Sequence, residues 1–239
     1  MTTQKERRER RRVGRSRPNV VPPGLTGGQY TPLTQTQIER IHAAALTVLE
    51  ETGIQVFPSN CREVWRRAGA RIDEARNRVF IPRALVTECL SAAACEVRLC
   101  GQSPEYDLDL KGTRVYMGTG GTAIKVLDLN GQVRESRLQD LFDIGRIVTA
   151  LDNIHFYLRP VVAHDVPTEA LDLNTYYTCL AATPKHVMGN CFTPESVRQV
   201  MKLAALIVGN EDTLHDRPCI SWVTSWVVSP LRYAPETVE

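Results

Sequence analysis

The sequence lacks the features that mark secreted, membrane-spanning and zinc-ribbon proteins. Its seven cysteines are odd in number, far apart and without any C-x-x-C pair, which argues against a disulfide framework and a zinc ribbon. No run of about 18 apolar residues is present. The nearest candidate, 220–228, is interrupted by Ser221, Thr224 and Ser225, so no transmembrane helix is predicted. Residues 1–17 contain no apolar stretch of a secretory signal, and a cytoplasmic location is expected.

Several signatures of enzyme chemistry are also missing. The five histidines show no H-x-x-x-H or H-E-x-x-H spacing, which disfavours a zinc or iron site. There is no G-x-S-x-G elbow and no P-loop, and no cysteine stands in a recognisable nucleophile context. The sequence therefore predicts no metal site and names no catalytic residue.

What is present is the composition of an ordinary globular protein with an uneven distribution of charge. The 239 residues are 43% hydrophobic and 23% charged, enough to build a core. Residues 1–17 hold eight Lys or Arg against two Glu, a net +6, whereas the other 222 residues hold 21 basic and 25 acidic side chains, a net −4. The body is therefore mildly acidic and only the arm is basic.

The basic arm continues into a Pro- and Gly-rich stretch, so residues 1–30 are predicted to be a flexible or wrapping extension. Such an arm could bind nucleic acid, remain a solvated tail or dock on a neighbouring subunit. Nucleic-acid binding is disfavoured, because no aromatic residue is interleaved with the arginines and the body offers no second basic patch.

Residues 31–113 are predicted to form an α+β extension. Thr34 and Gln37 have capping-box spacing at the start of an amphipathic helix that ends at Gly53. A shorter helix over 59–69 and a hairpin over 71–81 follow. Pro82 then begins a third helix, whose predicted inward-facing residues are Leu85, Val86, Cys89 and Leu90.

From residue 96 the hydrophobic period becomes that of strands. Asn130-Gly131 lies between two such runs and predicts a β-hairpin. Beyond residue 136, helices alternate with strands, which is typical of parallel βα units. The predicted helices are 137–151, 168–182 and 195–208, and the strands are 154–162, 186–190 and 219–227. With a further strand ending near Gly118, four parallel strands are counted, so a doubly wound sheet could be complete and an eight-stranded barrel about half built.

The segment 118–123 matches the G-x-G-x-x-A dinucleotide fingerprint, but its context argues against that function. The fingerprint requires glycines that open a helix, whereas 124–129 is predicted to be another strand ending in the Asn130-Gly131 turn. The alternatives are a glycine-rich strand end that lets a ligand approach the backbone and a plain tight turn.

Polar residues follow the other predicted strands. His164 and Asp165 occupy a βα loop, where the carboxylate could orient the imidazole, or where Asp165 merely caps the next helix and His164 lies on the surface. Asn190 and Ser225 lie at two further strand ends. Each of these residues alone is a weak indication of a site.

Several long segments resemble one known family in the same order. They include LTQTQIERIHAAALTVLEETGIQV, AGARIDEARNRVFIPRALVTECL, VYMGTGGTAIKVLDLNGQVRESRLQDLFDIGRIVTALDNIHF, RPVVAHDVPTEALDL and TPKHVMGNCFTPESVRQVMKLAALIVGNED. Over about residues 30–235 the chain resembles the N-terminal half of the trimethylamine methyltransferase family of corrinoid-dependent enzymes.

The resemblance implies an α/β fold, a TIM-type (β/α)8 barrel of which residues 114–239 form about the first half. It implies transfer of a methyl group from a tertiary or quaternary amine to the cobalt of a partner corrinoid protein, with no cofactor bound by this chain itself. A homo-oligomer is also expected. The alternatives are a truncated or degenerate relative without catalysis, and a nucleic-acid binder that uses the arm.

Within such a barrel, the substrate site is expected at the carboxyl ends of the strands. The residues at those ends are Thr119, Gly120, Gly121, His164, Asp165, Asn190 and Ser225. We expect them to converge on one mouth, with Asp165 near the positive charge of the amine and the two glycines allowing close approach of substrate or corrinoid. Aromatic faces also suit a quaternary ammonium, and Tyr116, Trp222 and Trp226 are the candidates.

Overall fold

The structure, a computed structural model, describes residues 25–234. The basic arm, residues 1–17, and most of the predicted extension 1–30 lie outside this range. Within it, seven α-helices occur: α1 (Gln35–Thr47), α2 (Ser59–Arg67), α3 (Arg83–Ala92), α4 (Leu138–Ala150), α5 (Thr168–Ala182), α6 (Pro194–Val208) and α7 (Glu211–Asp216). No helix of this region is long and apolar enough to cross a membrane.

Fourteen short strands accompany the helices in the same region. They are β1 (Leu25–Thr26), β2 (Ile54–Gln55), β3 (Arg71–Asp73), β4 (Arg78–Phe80), β5 (Val97–Leu99), β6 (Leu108–Leu110), β7 (Arg114–Val115), β8 (Lys125–Leu127), β9 (Val133–Glu135), β10 (Tyr157–Leu158), β11 (Val187–Gly189), β12 (Ile220–Trp222), β13 (Val227–Val228) and β14 (Arg232–Tyr233). The α/β class predicted from the sequence is confirmed.

Helix α1 begins as its sequence predicts, and the helical stretch that continues from it ends at the predicted Gly53. Thr34 and Gln37 form the capping box, with the Gln37 amide donating to Thr34 Oγ1 at 3.3 Å and the Thr34 amide donating to Gln37 Oε1 at 2.8 Å. A π-helical turn, Val48–Thr52, leads to Gly53, whose φ of +72° favours glycine. The apolar face is only thinly covered, since Ile38 and Ile41 remain 46% and 58% exposed.

The N-terminal sheet has five strands in the order β13-β14-β2-β4-β3. Its β3–β4 pair is the predicted hairpin over 71–81. A small hydrophobic core that includes Ile54, Val56 and Val79 forms around this sheet. Leu85 and Val86 of α3 pack against this core as predicted. Cys89 and Leu90 are exposed, so their predicted inward orientation is wrong. The core is covered by the first turn of α3, and the later turns extend past it.

The last strands return to this N-terminal sheet. β13 and β14 form an antiparallel pair, and Arg232 of β14 pairs in parallel with Gln55 of β2. Tyr233 packs on Trp65, with ring centroids 6.4 Å apart. The predicted continuous strand 219–227 is therefore wrong, because the chain leaves one sheet after β12 and joins another at β13 and β14, where the partly buried Tyr233 packs against the N-terminal core.

A parallel sheet of three strands, in the order β10-β11-β12, forms the centre of the larger core. Tyr157 pairs with Val187, and Val187 pairs with Ile220. Helices α4, α5 and α6 pack on the sheet, and their buried side chains and those of the strands form one cluster, which includes Leu141, Tyr157, Tyr176, Val187, Val200 and Ile220. The predicted alternation of helices and parallel strands is confirmed.

The glycine-rich segment 118–123 runs beside β10 and opens no helix, as its context in the sequence predicts. Gly118 bridges to Phe156 and Ala123 bridges to Val161, both in parallel. The predicted strand end near Gly118 is followed by one further isolated bridge, at Ala123. The glycines permit this approach: a Cβ at Gly121 would overlap the carbonyl oxygen of Arg159. The Asn130-Gly131 turn joins β8 and β9 as a hairpin, as predicted.

Candidate functional site

A cavity of about 340 Å³ lies at the carboxyl ends of β10, β11 and β12. Its volume is at the lower end of the range for small-molecule sites, roughly 300 to 1,000 Å³. Parallel α/β sheets bind ligands at this end of their strands. We refer to it as the strand-end cavity, and its lining includes Gly121, Leu158, Arg159, Gly189, Asn190, Cys191, Phe192, Val223, Ser225 and Val228.

Three of the seven residues predicted for the site line the strand-end cavity. They are Gly121, Asn190 and Ser225, which lie beside β10, after β11 and after β12. These residues are far apart in the chain, and the parallel order of the strands brings them together. Their assignment to substrate binding stays a prediction.

The loop that follows β11 forms one wall of the cavity and is held at three consecutive residues. Each residue is bound by a side chain from a different element, which fixes the wall before any ligand arrives. Arg159 Nη2, in the segment after β10, donates to Asn190 Oδ1 at 2.6 Å. Trp222 Nε1 of β12 donates to Cys191 Sγ at 3.1 Å, and the backbone amide of Phe192 donates to Asp172 Oδ2 of α5 at 2.9 Å.

Arg159 is the one charged residue among those that line the strand-end cavity. It is only 3% exposed, and its Nε and Nη1 are enclosed without a hydrogen-bond partner. Burial lowers the pKa of Arg159, while the nearby negative charge of Asp172 raises it. Burial also raises the pKa of the Cys191 thiol to about 11, so this thiol is a poor nucleophile at neutral pH.

Thr119 and Gly120 precede the cavity wall and are not among its lining residues. The Thr119 hydroxyl donates to the carbonyl oxygen of Leu158, which ties the segment 118–123 to β10. No heavy atom lies within 4 Å of a Cβ added at Gly120, in contrast to the crowded Gly121. The two adjacent glycines therefore differ in their surroundings.

His164 and Asp165 line a second cavity of about 320 Å³, together with 134–137. Asp165 Oδ1 accepts a hydrogen bond from the amide of Leu138 at 3.0 Å, so it caps the first turn of α4. The sequence suggested capping of the following helix, whereas the helix actually capped is the preceding one. The structure does not bring these two residues together with Gly121, Asn190 and Ser225 around one cavity.

The aromatic candidates named from the sequence do not line the strand-end cavity. Tyr116 packs edge-on against His155, with centroids 5.2 Å apart, and Trp226 is 59% exposed. The aromatic side chain in the lining is Phe192, which sequence reasoning missed, as it missed Arg159. A charged residue inside the apolar run HFYLRPVV was the available signal for Arg159.

The strand-end cavity suits a small organic molecule and is far too small to enclose a corrin macrocycle. In the part of the chain from 25 to 234, no group of three or more His, Cys, Asp and Glu side chains is placed to hold a metal ion. The residues present therefore fit a small substrate within the cavity and do not fit a corrinoid held inside it.

Comparison with known proteins identifies the family to which this chain is similar. The family model described as trimethylamine methyltransferase (MTTB) matches residues 2–239. The chain is 30% identical over 199 residues to trimethylamine methyltransferase MttB of Desulfitobacterium hafniense, covering 83% of this chain and 39% of that protein. It is 27% identical over 207 residues to a glycine betaine methyltransferase of the same species, covering 86% of this chain and 42% of that protein.

An archaeal protein is similar to the same degree. Trimethylamine methyltransferase MttB1 of Methanosarcina mazei is 29% identical over 203 residues, covering 82% of this chain and 41% of that protein. The chain thus spans about two fifths of the length of the curated relatives it matches.

Proposed function

The chain belongs to the trimethylamine methyltransferase family, and from this membership we propose that the protein transfers a methyl group from a methylated amine to the cobalt of a corrinoid carried by a partner protein. The observation that carries the proposal is the family match, which extends over residues 2–239. The relatives are named for trimethylamine or glycine betaine methyl transfer, which supports a methylated amine as the substrate here.

We also propose that the four parallel segments are the first four strands of a (β/α)8 barrel. Segment 118–123, β10, β11 and β12 are neighbours in the sheet in the same order as in the sequence. At least one helix lies between each consecutive pair. A doubly wound sheet reverses its strand order at a switch point, whereas a barrel keeps it sequential. The sequential order therefore favours the barrel.

The strand-end cavity is the proposed amine site. Methyl transfer from nitrogen asks the protein to align the amine and exclude water more than to move protons. Leu158, Val223 and Val228 offer apolar walls, and the face of Phe192 offers a cation–π contact for an ammonium group. Gly121 keeps its wall flat, because a side chain there would collide with Arg159.

The corrinoid supplies a reduced, nucleophilic cobalt that accepts the methyl group. Because the cavity is too small to enclose a corrin, this chain's task is to hold the amine with its methyl group accessible from outside, where the partner presents its cofactor. The seven cysteines are odd in number and include no C-x-x-C pair, and this pattern supports a reducing cytoplasm as the place of the reaction.

A direct assay tests the proposal. The protein, expressed from its complete reading frame, is mixed with cob(I)alamin and either trimethylamine or glycine betaine, and methylcobalamin formation is followed by absorbance. We expect a rate above the protein-free control with at least one amine. The proposal is wrong if neither amine nor other tertiary and quaternary methylamines give a rate, even with the cognate corrinoid protein added.

A matched pair of variants connects this assay to the cavity. Phe192→Leu keeps an apolar side chain and removes the aromatic face, so the KM for the amine should rise about threefold to tenfold. Phe57→Leu changes a half-exposed phenylalanine in the N-terminal region and should leave KM unchanged. Equal effects of the two substitutions would remove Phe192 from the amine site.

A further inference from the structure

One wall of the strand-end cavity is formed by the chain that follows β12. The lining residues from this stretch, which we call the closing hairpin (223–234), are Val223, Thr224, Ser225, Val228 and Ala234. The amide of Val223 donates to the carbonyl oxygen of Gly189 at 2.6 Å, and beyond it the chain leaves the parallel sheet to form β13 and β14. The cavity is therefore bounded by the ends of the parallel strands and by a hairpin that belongs to another sheet.

The closing hairpin is held by the N-terminal sheet. Its strands pair with each other, and the amide of Ala234 donates to the carbonyl oxygen of Trp226 at 3.2 Å. Arg232 of β14 pairs with Gln55 of β2, whose amide donates to the carbonyl oxygen of Leu231 at 2.8 Å. Since β13 and β14 are the first two strands in the order β13-β14-β2-β4-β3, the N-terminal strands set where this wall of the cavity lies.

Tyr233 joins the closing hairpin to the N-terminal core through its side chain. Its ring packs on Trp65 of α2, with ring centroids 6.4 Å apart, and both side chains pack against the core that contains Val79. Successive side chains of an extended chain point to opposite faces, and the next residue, Ala234, is buried and lines the cavity. Two consecutive residues therefore contact the N-terminal core and the cavity, so a shift of one moves the other.

We propose that Tyr233 is a positioning residue of the amine site: by packing on Trp65 it holds the closing hairpin against the strand ends and so sets the width of the strand-end cavity. The identity of the cavity as an amine site rests on the proposed function. Tyr233 is not among the lining residues and acts through Val228 and Ala234, which are. Without the ring contact the hairpin moves away from the strands, the cavity admits more water, and the amine is held less tightly.

The first experiment measures the width of the cavity without any amine. Cys191 lines the cavity, so its rate of labelling by a thiol reagent in mild alkali reports how well the closing hairpin covers it. Tyr233→Leu keeps an apolar side chain but removes the ring, and we expect Cys191 to label at least about threefold faster. Cys89 and Cys95 are exposed elsewhere and should label at unchanged rates. Tyr233→Phe keeps the ring and should behave like the unaltered protein.

The second experiment measures methyl transfer to cob(I)alamin by the protein expressed from its complete reading frame. Tyr233→Leu and Trp65→Leu should each raise the KM for the amine about fivefold and leave kcat within about twofold, since they weaken binding and not the chemical step. The double variant should resemble either single variant, because both substitutions remove the same contact. Phe80→Leu is the matched control: it removes an aromatic ring of β4 that lies under Arg71, and it should change neither KM nor the labelling of Cys191.

If Tyr233→Leu does not fold, Trp65→Leu makes the same test from the other side of the contact. The inference is overturned if Cys191 labels at an unchanged rate in the folded variants, if the KM for the amine is unchanged, if the two substitutions multiply in the double variant, or if Phe80→Leu has the same effects. Absence of methyl transfer from any amine would overturn the proposed function instead, and the labelling rates would still decide whether Tyr233 sets the width of the cavity.

Discussion

Arg217 donates from Nη1 and Nη2 to the two carboxylate oxygens of Asp107, with both distances 2.7 Å. The two residues are 110 positions apart, and the pair joins the turn before β6 to the turn before β12. Asp107 Oδ1 also accepts from the amide of Gly101 at 3.1 Å, so one carboxylate organises three segments. Both side chains are largely shielded from solvent, which makes the pair an anchor for the start of β12.

The first prediction concerns this pair. Asp107→Asn keeps the shape of the side chain and removes its charge, so we expect the free energy of unfolding in urea to fall by about 2 kcal/mol. The control is Glu195→Gln, which alters the exposed Glu195–Arg198 pair and should have little effect. Equal effects of the two substitutions would show that the Asp107–Arg217 pair contributes no more than a surface contact.

The second prediction concerns the end of α4. Lys185 is fully buried, and its Nζ donates to the carbonyl oxygens of Val148, Leu151 and Ile154 at 2.6 to 2.8 Å. Lys185→Met fills a similar volume but leaves these carbonyl oxygens without their donor, so the free energy of unfolding should fall by about 3 kcal/mol or more. Lys202→Met, on the exposed side of α6, serves as the control and should change stability little. An unchanged urea midpoint for Lys185→Met would contradict this role.

The third prediction is a loss of stability in mild acid. His186 is buried between the carbonyl oxygen of Cys100 and Ser221 Oγ, both at 2.8 Å from its ring nitrogens. Burial lowers the pKa of His186 and also that of His155. The unfolded chain therefore binds more protons than the folded one once the pH falls below the ordinary histidine pKa of about 6.5.

The free energy of unfolding should accordingly be highest above about pH 6.5 and should decline as the pH falls below that value. Urea unfolding at intervals between pH 7.5 and 5.5 measures this slope, and His186→Gln should reduce it. Stability that stays level or rises on acidification over this range would contradict the prediction.

The fourth prediction uses the two adjacent glycines as a matched pair. Gly121→Ala forces a Cβ against the Arg159 carbonyl, so we expect a loss of about 1 to 3 kcal/mol in stability and a weaker fit of ligand in the cavity. Gly120→Ala enters open space and should be neutral or slightly stabilising. Thermal unfolding of both variants makes the comparison, and similar melting temperatures would show that segment 118–123 does not need its close approach to β10.

Local signals in the sequence were sufficient for much of the fold. The Thr34–Gln37 capping box and the Asn130-Gly131 turn depend on residues close in the chain, so their structures follow from short segments. The alternation of apolar periods likewise predicted α4 to α6 and the parallel strands. The break between β12 and β13 could not be predicted, because it depends on β14 pairing with β2, some 180 residues earlier.

The candidate site was predicted only in part for the same reason. That Gly121, Asn190 and Ser225 line one cavity could be predicted, because strand ends meet at one edge of a parallel sheet. Asp165 instead caps α4 through Leu138, a contact set by how the preceding helix packs. Arg159 was missed because its importance depends on tertiary neighbours, Asn190 above all, that no local pattern specifies.

The central claim is that the strand-end cavity holds the methylated amine, and protection of Cys191 from a thiol reagent tests it most directly. Cys191 lines the cavity, while Cys89 and Cys95 are exposed elsewhere and serve as internal references. Because burial raises the pKa of Cys191 to about 11, labelling is done in mild alkali and followed by peptide mass spectrometry. With glycine betaine at ten times its Kd, labelling of Cys191 should slow about tenfold, since only the free fraction reacts, while both references label at unchanged rates. If Cys191 labels equally fast at that occupancy, the amine binds elsewhere and the claim is contradicted.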